Sequence, residues 1–156
     1  MHRARARSAS ALDALKRAEK TLRTPNGFQS AFGLSFMDNT LKLVHAYYDS
    51  WKNGAKTYDE ARLRSVLHPH LVFESPAGRK EKLDDFLPGL ARFAKTVKDQ
   101  RMLQLFAVGG EAAAIYDCDL TSPVDVLRCA EIFRVEGERI VSIRLVFDAS
   151  AYVRKP

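Results

Sequence analysis

Apolar side chains recur at helical spacing in the segment that follows Met37. At 100° per residue its apolar positions fall within one arc of about 160°, and they are Leu41, Leu43, Val44, Tyr47, Tyr48 and Trp51. Lys42, His45, Asp49 and Ser50 face the other way. We expect this helix to be capped by Asp38 or Asn39 and to end before Gly54.

Two more helices are predicted after Gly54. The stretch "TYDE" is a capping-box pattern with Thr57 at the cap and Glu60 three residues later, and Pro69 is expected to end the short helix that it opens. A third helix follows from the spacing of Leu83, Phe86, Leu87, Leu90, Phe93 and Val97. Pro88 fits this helix without a kink if the helix starts near Asp84 or Asp85.

The remaining segments alternate in the manner of strands. "LVFES" (residues 71–75) is a short strand between the second and third helices. Four longer strands are predicted at 99–108, 111–120, 126–136 and 139–148. They are separated by a Gly pair, by "TSPVD" and by a turn around Gly137. The order predicts an α+β fold in which three helices pack on one face of a curved, mainly antiparallel sheet.

Alternation also predicts which face of each strand is buried. The inward rows are Val141, Ile143, Leu145 and Phe147; Ala112, Ala114, Tyr116, Cys118 and Leu120; and Leu127, Cys129, Glu131, Phe133 and Val135. A symmetric loop at "TSPVD" would place Tyr116 opposite Glu131, Cys118 opposite Cys129, and Asp119 opposite Arg128. A shift of two residues would keep the same faces.

Glu131 is the one acid in these inward rows. An ionised carboxylate in an apolar interior is strongly unfavourable, so such a group either finds hydrogen-bond donors or stays protonated with a raised pKa. Both outcomes suit a functional acid. The structural alternative is a carboxylate at a sheet edge that reaches solvent or pairs with an arginine.

Net charge divides the chain into two parts. The formal charge is +6, but residues 1–36 hold seven Lys/Arg against two Asp/Glu, whereas residues 37–156 hold eighteen against seventeen. We therefore expect a basic N-terminal extension over 1–36, partly disordered or carrying a short helix at 11–23, and one domain over 37–156. A nearly neutral domain gives no basic footprint for nucleic acid.

Cysteine content and hydropathy indicate the cellular compartment in which the protein is expected. Two cysteines make no disulfide framework, and no apolar run approaches the ~20 residues that span a bilayer. We expect a cytoplasmic protein that binds no membrane and keeps both thiols reduced.

The order and spacing of "LVHAYYDSWKNG", "HLVFESPAG" and "AEIFRVEGERIVSIRLVFD" resemble the nuclear transport factor 2-like superfamily, in its SnoaL-like and ketosteroid-isomerase-like branch. The resemblance covers roughly residues 38–150. It implies a conical fold that encloses an apolar pocket, usually in a homodimer.

The resemblance also implies roles for individual residues. By position, Tyr47 matches the tyrosine and Glu131 the protonated acid of the isomerase oxyanion hole, for which the isomerases are the established example. The catalytic base does not carry over, because Ser75 stands where the isomerases have an aspartate and Glu74 should point to the other face. Isomerisation by the same route is therefore not expected.

The candidate site thus combines two catalytic residues with a wall of pocket residues. The catalytic pair is Glu131 and Tyr47, and the substrate-binding candidates are Trp51, Phe73, Ser75, Phe86, Tyr116, Cys118, Phe133 and Phe147. The branch implies isomerase, cyclase, dehydratase or epoxide hydrolase chemistry on a small apolar molecule, without a cofactor. The alternative is a non-catalytic ligand-binding or dimerisation module, and a cavity of several hundred Å³ lined by both catalytic candidates would favour ligand chemistry.

Three further sets of residues have plainer explanations. His68 and His70 flank a proline but lack further ligands, so a solvated loop is favoured over a metal site. The resemblance places Asp148 at the pocket rim or the dimer contact, and a helix or strand cap is the alternative. Arg144 and Asp117 lie on the outward face, where structural ion pairs are favoured.

Overall fold

A computed structural model describes the backbone of residues 27–152 and the side chains of residues 38–152. The predicted helix at 11–23 and most of the predicted extension lie outside these residues. The helices are α1 (Gly27–Asp49), α2 (Glu60–Val66) and α3 (Leu83–Ala94), with 3-10 turns at Gly54–Lys56 and Ser150–Tyr152. The strands are β1 (Leu67–Ser75), β2 (Gly78–Lys80), β3 (Val97–Val108), β4 (Glu111–Leu120), β5 (Val126–Glu136) and β6 (Arg139–Phe147).

The six strands form one sheet in the order β2-β1-β6-β5-β4-β3. The pair β1–β6 is parallel and every other pair is antiparallel. The α+β prediction and the four long strands are confirmed. None of the helices in the described part of the chain combines the length and apolar character that crossing a bilayer requires.

Helix α1 begins earlier than predicted. It starts at Gly27 and passes through Gly33, so neither Asp38 nor Asn39 caps it. A glycine inside a helix costs only about 1 kcal/mol, and an existing helix extends without a new nucleation step. The division of the chain into two compact units falls inside this helix, between Phe32 and Gly33, and all residues of the site described below belong to the second unit.

The segment after α1 shows two further corrections. The cap of α2 is Asp59, whose side chain accepts a hydrogen bond from the Arg62 amide at 2.9 Å, and not Thr57. Strand β1 starts at Leu67, so Pro69 lies within a strand instead of ending the helix. It sits where the register with β6 shifts between Leu67 and Val72, a position at which a missing ladder donor is tolerated. His68 and His70 are therefore strand residues.

Helix α3 begins at Leu83, one residue before the predicted start, and contains Pro88 in its second turn. The preceding strand β2 was not predicted. It pairs Lys80 with Phe73 and Gly78 with Ser75 in a tight hairpin. Three residues with a glycine carry too little alternation to distinguish a strand from a turn.

The inward rows of β4 and β5 are buried as predicted, but the register differs by two residues. Tyr116 lies opposite Cys129, and Asp117, not Asp119, lies opposite Arg128. The loop is asymmetric, since the last paired residues are Asp119 and Val126. Cys118 consequently faces Leu127, and both cysteines are buried free thiols.

Ile140 and Ser50 were both predicted to face outward but lie in the interior. Ile140 is fully buried because the register between β5 and β6 shifts at Val135, which leaves Val141 as the extra residue of a bulge. Ser50 at the end of α1 is also buried, and its hydroxyl donates to the Ala46 carbonyl at 2.7 Å. That intrahelical bond satisfies the hydroxyl and removes the need for solvent.

Candidate active site

A cavity of about 410 Å³ lies between the inner face of the sheet and helices α1 and α3. Its walls come from α1, β1, β2, α3, β4, β5 and β6. Apolar and aromatic side chains make up most of the lining, with Glu131 as the acid on the sheet side. A cavity of this size suits a small organic ligand.

The structure brings together most of the residues predicted from the sequence. Those that line the cavity are Glu131, Tyr47, Trp51, Phe73, Ser75, Phe86, Tyr116 and Phe147. Phe133 does not line it, although its side chain is fully buried. Its ring packs edge-on against Tyr47 and Tyr48, at centroid distances of 5.6 and 5.8 Å, so α1 covers it.

Cys118 is the second predicted lining residue outside the cavity wall. The two-residue difference in register brings Cys129 beside Tyr116 instead, and Cys129 lines the cavity. Burial raises the pKa of the Cys129 thiol to about 12, with the Glu131 charge adding to the effect. A thiol with that pKa is protonated and unreactive near neutral pH.

Glu131 is 2% exposed and is held by two tyrosines of α1. The Tyr48 hydroxyl donates to Oε2 at 2.6 Å, and the Tyr47 hydroxyl donates to Oε1 at 3.4 Å. Strand alternation turns Glu131 inward, and helix α1 places adjacent residues on the buried arc that faces it. Among the described residues, the carboxyl group therefore has hydrogen-bond donors but no cation beside it.

Burial raises the pKa of Glu131 from 4.5 to about 7, and the hydroxyls of Tyr48, Tyr116 and Tyr47 oppose that rise. The pKa values of the three tyrosines are raised well above 10, first by burial and then by the Glu131 charge. The phenols are therefore neutral donors at neutral pH. The acid itself changes charge near physiological pH, as a general acid–base group requires.

Packed aromatic rings fix the position of these hydroxyls. Tyr48 packs edge-on against Tyr47 and Tyr116 at 5.1 and 5.2 Å, and Trp51 lies 5.9 Å from Tyr47 and 6.0 Å from Tyr116. Edge-to-face contacts of this kind hold rings in defined orientations. The oxygen donors around Glu131 are thus held in place before any ligand binds.

Tyr48 is the main functional candidate that sequence reasoning missed. It lies on the predicted buried arc of α1 but is absent from the predicted site residues. Two adjacent tyrosines 100° apart on a buried arc can both reach one inward carboxyl group, and that was the available signal. The charged lining residues Lys80, Asp85 and Arg92 were also missed, because they belong to β2 and to the exposed side of α3.

Strand β1 contributes no carboxylate to the cavity. The Ser75 hydroxyl accepts a hydrogen bond from the Ala77 amide at 3.1 Å and so closes the turn into β2. Glu74 points to the opposite face, where it pairs with Arg144 at 3.2 Å and with Arg79. The bond from Arg144 is the main cause of the lowered pKa of Glu74.

Trp51 brings a polar atom to the wall that has no partner. The side chain is buried, lines the cavity, and its Nε1 donor has no acceptor within the described residues. A buried donor without an acceptor is costly.

The remaining candidates have structural roles. Asp148 accepts from the Ser150 amide at 2.9 Å and caps the final 3-10 turn. Asp117 is held by Arg128 and lies on the outer face, as does the Arg144–Glu74 pair. Between residues 38 and 152 no three His, Cys, Asp or Glu side chains cluster as metal ligands would.

Comparison with known proteins gives a family match. The family model described as the SnoaL-like domain matches residues 44–143. A structure from Kribbella flavida DSM 17836 is 26% identical, covers 72% of this chain and 88% of its own, and superposes with a TM-score of 0.64. No curated protein matches the chain.

Two more distant structures share the fold. An LEH-like epoxide hydrolase from M. tuberculosis is 20% identical, with 72% of this chain and 85% of that chain covered and a TM-score of 0.61. A SnoaL-like protein from Jannaschia sp. CCS1, which carries a provisional polyketide cyclase name, is 9% identical, with 75% and 90% covered and a TM-score of 0.64. At these identities the likeness shows the fold alone.

Proposed function

The chain belongs to the SnoaL-like domain family, and on that premise we propose that it binds a small, largely apolar carbonyl compound and moves a proton on it with Glu131 and Tyr47. The observation that carries this proposal is a buried carboxyl group at the cavity wall, with a pKa raised to about 7 and with phenol donors beside it. Its tyrosine donors are already in place before a ligand binds.

The proton balance is simple. The carboxylate form of Glu131 takes a proton from the carbon next to the carbonyl, and the electron pair moves to the carbonyl oxygen. Tyr47, which lines the cavity, gives up its 3.4 Å contact with Glu131 and donates its one hydroxyl proton in a hydrogen bond to that developing oxyanion. Glu131, now protonated, returns the proton to the same or another carbon. Ser75 takes no part, because its hydroxyl is engaged in the β1–β2 turn.

Trp51 and the apolar lining support a ligand with one polar end. The unpartnered indole N–H is available to an acceptor oxygen, while Phe73, Phe86 and Phe147 offer only apolar surface. A compact ligand that carries oxygen near Glu131 and hydrocarbon elsewhere satisfies both.

Proton–deuterium exchange next to a ketone tests the proposal directly. We expect wild-type protein to accelerate exchange of an aryl ketone in D₂O, followed by proton NMR, with a rate that rises through pH 7 as Glu131 ionises. Glu131→Gln should lose the acceleration, because an amide accepts no proton. Tyr47→Phe should lower it by about 100- to 1000-fold through loss of an oxyanion donor.

Glu136→Gln is the matched control, since Glu136 is an exposed acid on the same strand. It should exchange at the wild-type rate. Unchanged exchange in Glu131→Gln would refute the assignment.

A non-catalytic ligand-binding module is the second candidate. The absence of a β1 carboxylate facing the cavity favours it, since Ser75 replaces the base of related isomerases. Trp51 is the one tryptophan of the chain, so its fluorescence reports occupation of the cavity. Ligand quenching without any exchange activity would identify this candidate.

A homodimer through the outer face of the sheet is a further part of the proposal. Phe106, Ile115, Ile132 and Val146 are exposed there on four adjacent strands, with Arg and Asp side chains beside them. Charges of both signs around an apolar centre suit a second copy related by a two-fold axis. We expect a dimer by sedimentation equilibrium and a monomer for Ile132→Arg; a monomeric wild type would refute it.

A further inference from the structure

The mouth of the cavity is formed by hairpin β1–β2 and by one side of α3. Lys80 contributes from β2, and Asp85, Gly89 and Arg92 follow one another along α3 at spacings of four and three residues. Residues so spaced lie on one side of a helix. The mouth of the apolar chamber therefore carries three charged side chains, and Gly89 lies between two of them on α3.

Gly89 has no backbone or packing reason to be glycine. Its φ is not in the left-handed region, and an added Cβ would meet no atom within 4 Å. Glycine in a helix interior lowers helix stability relative to alanine. The lack of a side chain instead leaves open space between Asp85 and Arg92, where a ligand can enter.

Arg92 differs from the other arginines of the chain. Between residues 38 and 152 there are nine arginines. Eight of them make an ion pair or donate a side-chain hydrogen bond within that range, namely Arg62, Arg64, Arg79, Arg101, Arg128, Arg134, Arg139 and Arg144. Arg92 has no such partner among the described residues and lines the cavity.

Lys80, which belongs to the hairpin side of the mouth, also lacks an ion-pair partner among the described residues. It lines the cavity and has no ion pair within the described residues, whereas its neighbour Arg79 binds Glu74 and Glu81. Within the described part of the chain Asp85 is the single acid at the mouth, so two positive groups stand there against one negative group. The local field favours an anion.

We propose that the natural ligand is an amphipathic carboxylic acid whose apolar body and carbonyl group enter the chamber while its carboxylate stays at the mouth against Arg92 and Lys80. This inference rests on the proposed function for the inner end of the ligand, and it adds the charge and the orientation of the outer end. Arginine suits the outer position because its planar fork binds a carboxylate through two hydrogen bonds.

The test compares two probes that differ only at the outer end. They are 4-(naphthalen-2-yl)-4-oxobutanoate and its methyl ester, titrated against Trp51 fluorescence at low ionic strength. We expect wild-type protein to bind the acid about 3- to 5-fold more tightly than the ester, in the range of a solvent-accessible ion pair, with the preference falling as salt is added. Arg92→Gln should remove most of the preference by weakening the acid alone, and Lys80 accounts for the remainder.

Two variants complete the experiment. Lys98→Gln removes a positive charge from the exposed edge of β3, outside the lining, and should leave the preference unchanged. Asp85→Asn should increase it. Three results would overturn the inference. Arg92→Gln could lower the affinity for both probes equally, wild-type protein could bind the two probes with equal affinity, or the acid could fail to quench Trp51 fluorescence.

The two experiments distinguish failure of the carboxylate site at the mouth from failure of the proposed acid–base function. If Arg92→Gln removes most of the preference for the acid while Glu131→Gln leaves proton exchange unchanged, the carboxylate site stands and the acid–base function falls. If Glu131→Gln abolishes exchange while acid and ester bind equally well, the function stands and the anionic ligand class falls.

Discussion

Two carboxyl groups on neighbouring strands are almost equally shielded from solvent yet behave in opposite ways. Glu131 on β5 faces inward and is 2% exposed, and Asp117 on β4 faces outward and is 4% exposed. The pKa of Glu131 is raised to about 7 by burial. The pKa of Asp117 is lowered, mainly by its hydrogen bonds with Arg128.

The side chains that cover each carboxyl group explain why their pKa values shift in opposite directions. Arg128 holds Asp117 through two bonds at 2.7 and 2.9 Å, and that arginine is itself mostly exposed, so the pair remains hydrated and charged. Glu131 is covered by aromatic rings and receives only uncharged hydroxyl donors. A low exposed fraction therefore does not by itself predict the protonation state; the charge and mobility of the covering groups do.

The largest expected effect comes from replacing Glu131. Because its folded pKa lies above the unfolded value of 4.5, the folded state loses stability as pH rises from about 4.5 to 7. One pKa unit corresponds to about 1.4 kcal/mol, so the loss amounts to about 3 kcal/mol. Glu131→Gln should escape this loss and gain about 3 kcal/mol relative to wild type between pH 4 and pH 8.5, measured by urea unfolding.

Glu136→Gln again serves as the control, since an exposed acid on the outer face should show no such gain. Parallel pH–stability curves for wild type and Glu131→Gln would mean that Glu131 titrates normally despite its burial.

A smaller effect should separate the two tyrosines that bind Glu131. Tyr48→Phe removes the 2.6 Å donor and should cost about 2 kcal/mol above pH 8, where the carboxylate is ionised. It should also raise the pKa of Glu131, because one of the groups that favour the charged form is lost. Tyr47→Phe removes a 3.4 Å contact and should have less effect on both quantities.

Carbon NMR titration of the Glu131 carboxyl group and unfolding at pH 8.5 measure the two effects. An equal change in both variants, or a larger one in Tyr47→Phe, would contradict the ranking that the distances give.

Alternation along β4 and β5 was sufficient to predict from sequence that both acids lie where they do. Period-2 patterning fixes the face of a strand residue, so the inward position of Glu131 and the outward position of Asp117 followed directly. Patterning does not fix register, because a shift of two residues preserves every face. The Asp117–Arg128 pair was therefore missed, and Asp119 was predicted in its place.

The helices and the mouth were less predictable for physical reasons. Local capping and proline rules misplaced the start of α1 and placed Pro69 outside the sheet, since helix extension and a register shift override local propensity. The bulge that buries Ile140 depends on pairing with β5 and leaves no mark in β6 itself. Arg92 becomes a candidate only when the partners of all other arginines are known.

The smallest expected effect concerns Asp117. Its contribution to stability is lost as pH falls, whereas the stability lost through Glu131 is lost as pH rises. Because the folded pKa of Asp117 lies below its usual value of 3.8, the ion pair stabilises the fold above that value, and the stabilisation is lost as pH falls through the folded pKa. Asp117→Asn should therefore cost about 1 kcal/mol at pH 7, and its difference from wild type should shrink towards pH 3. Asp119→Asn, which removes a single 3.2 Å contact with Arg101, should cost less. If the Asp117→Asn difference stays constant with pH in urea unfolding, the arginines do not hold this carboxylate in its charged form, and the contrast with Glu131 reduces to burial alone.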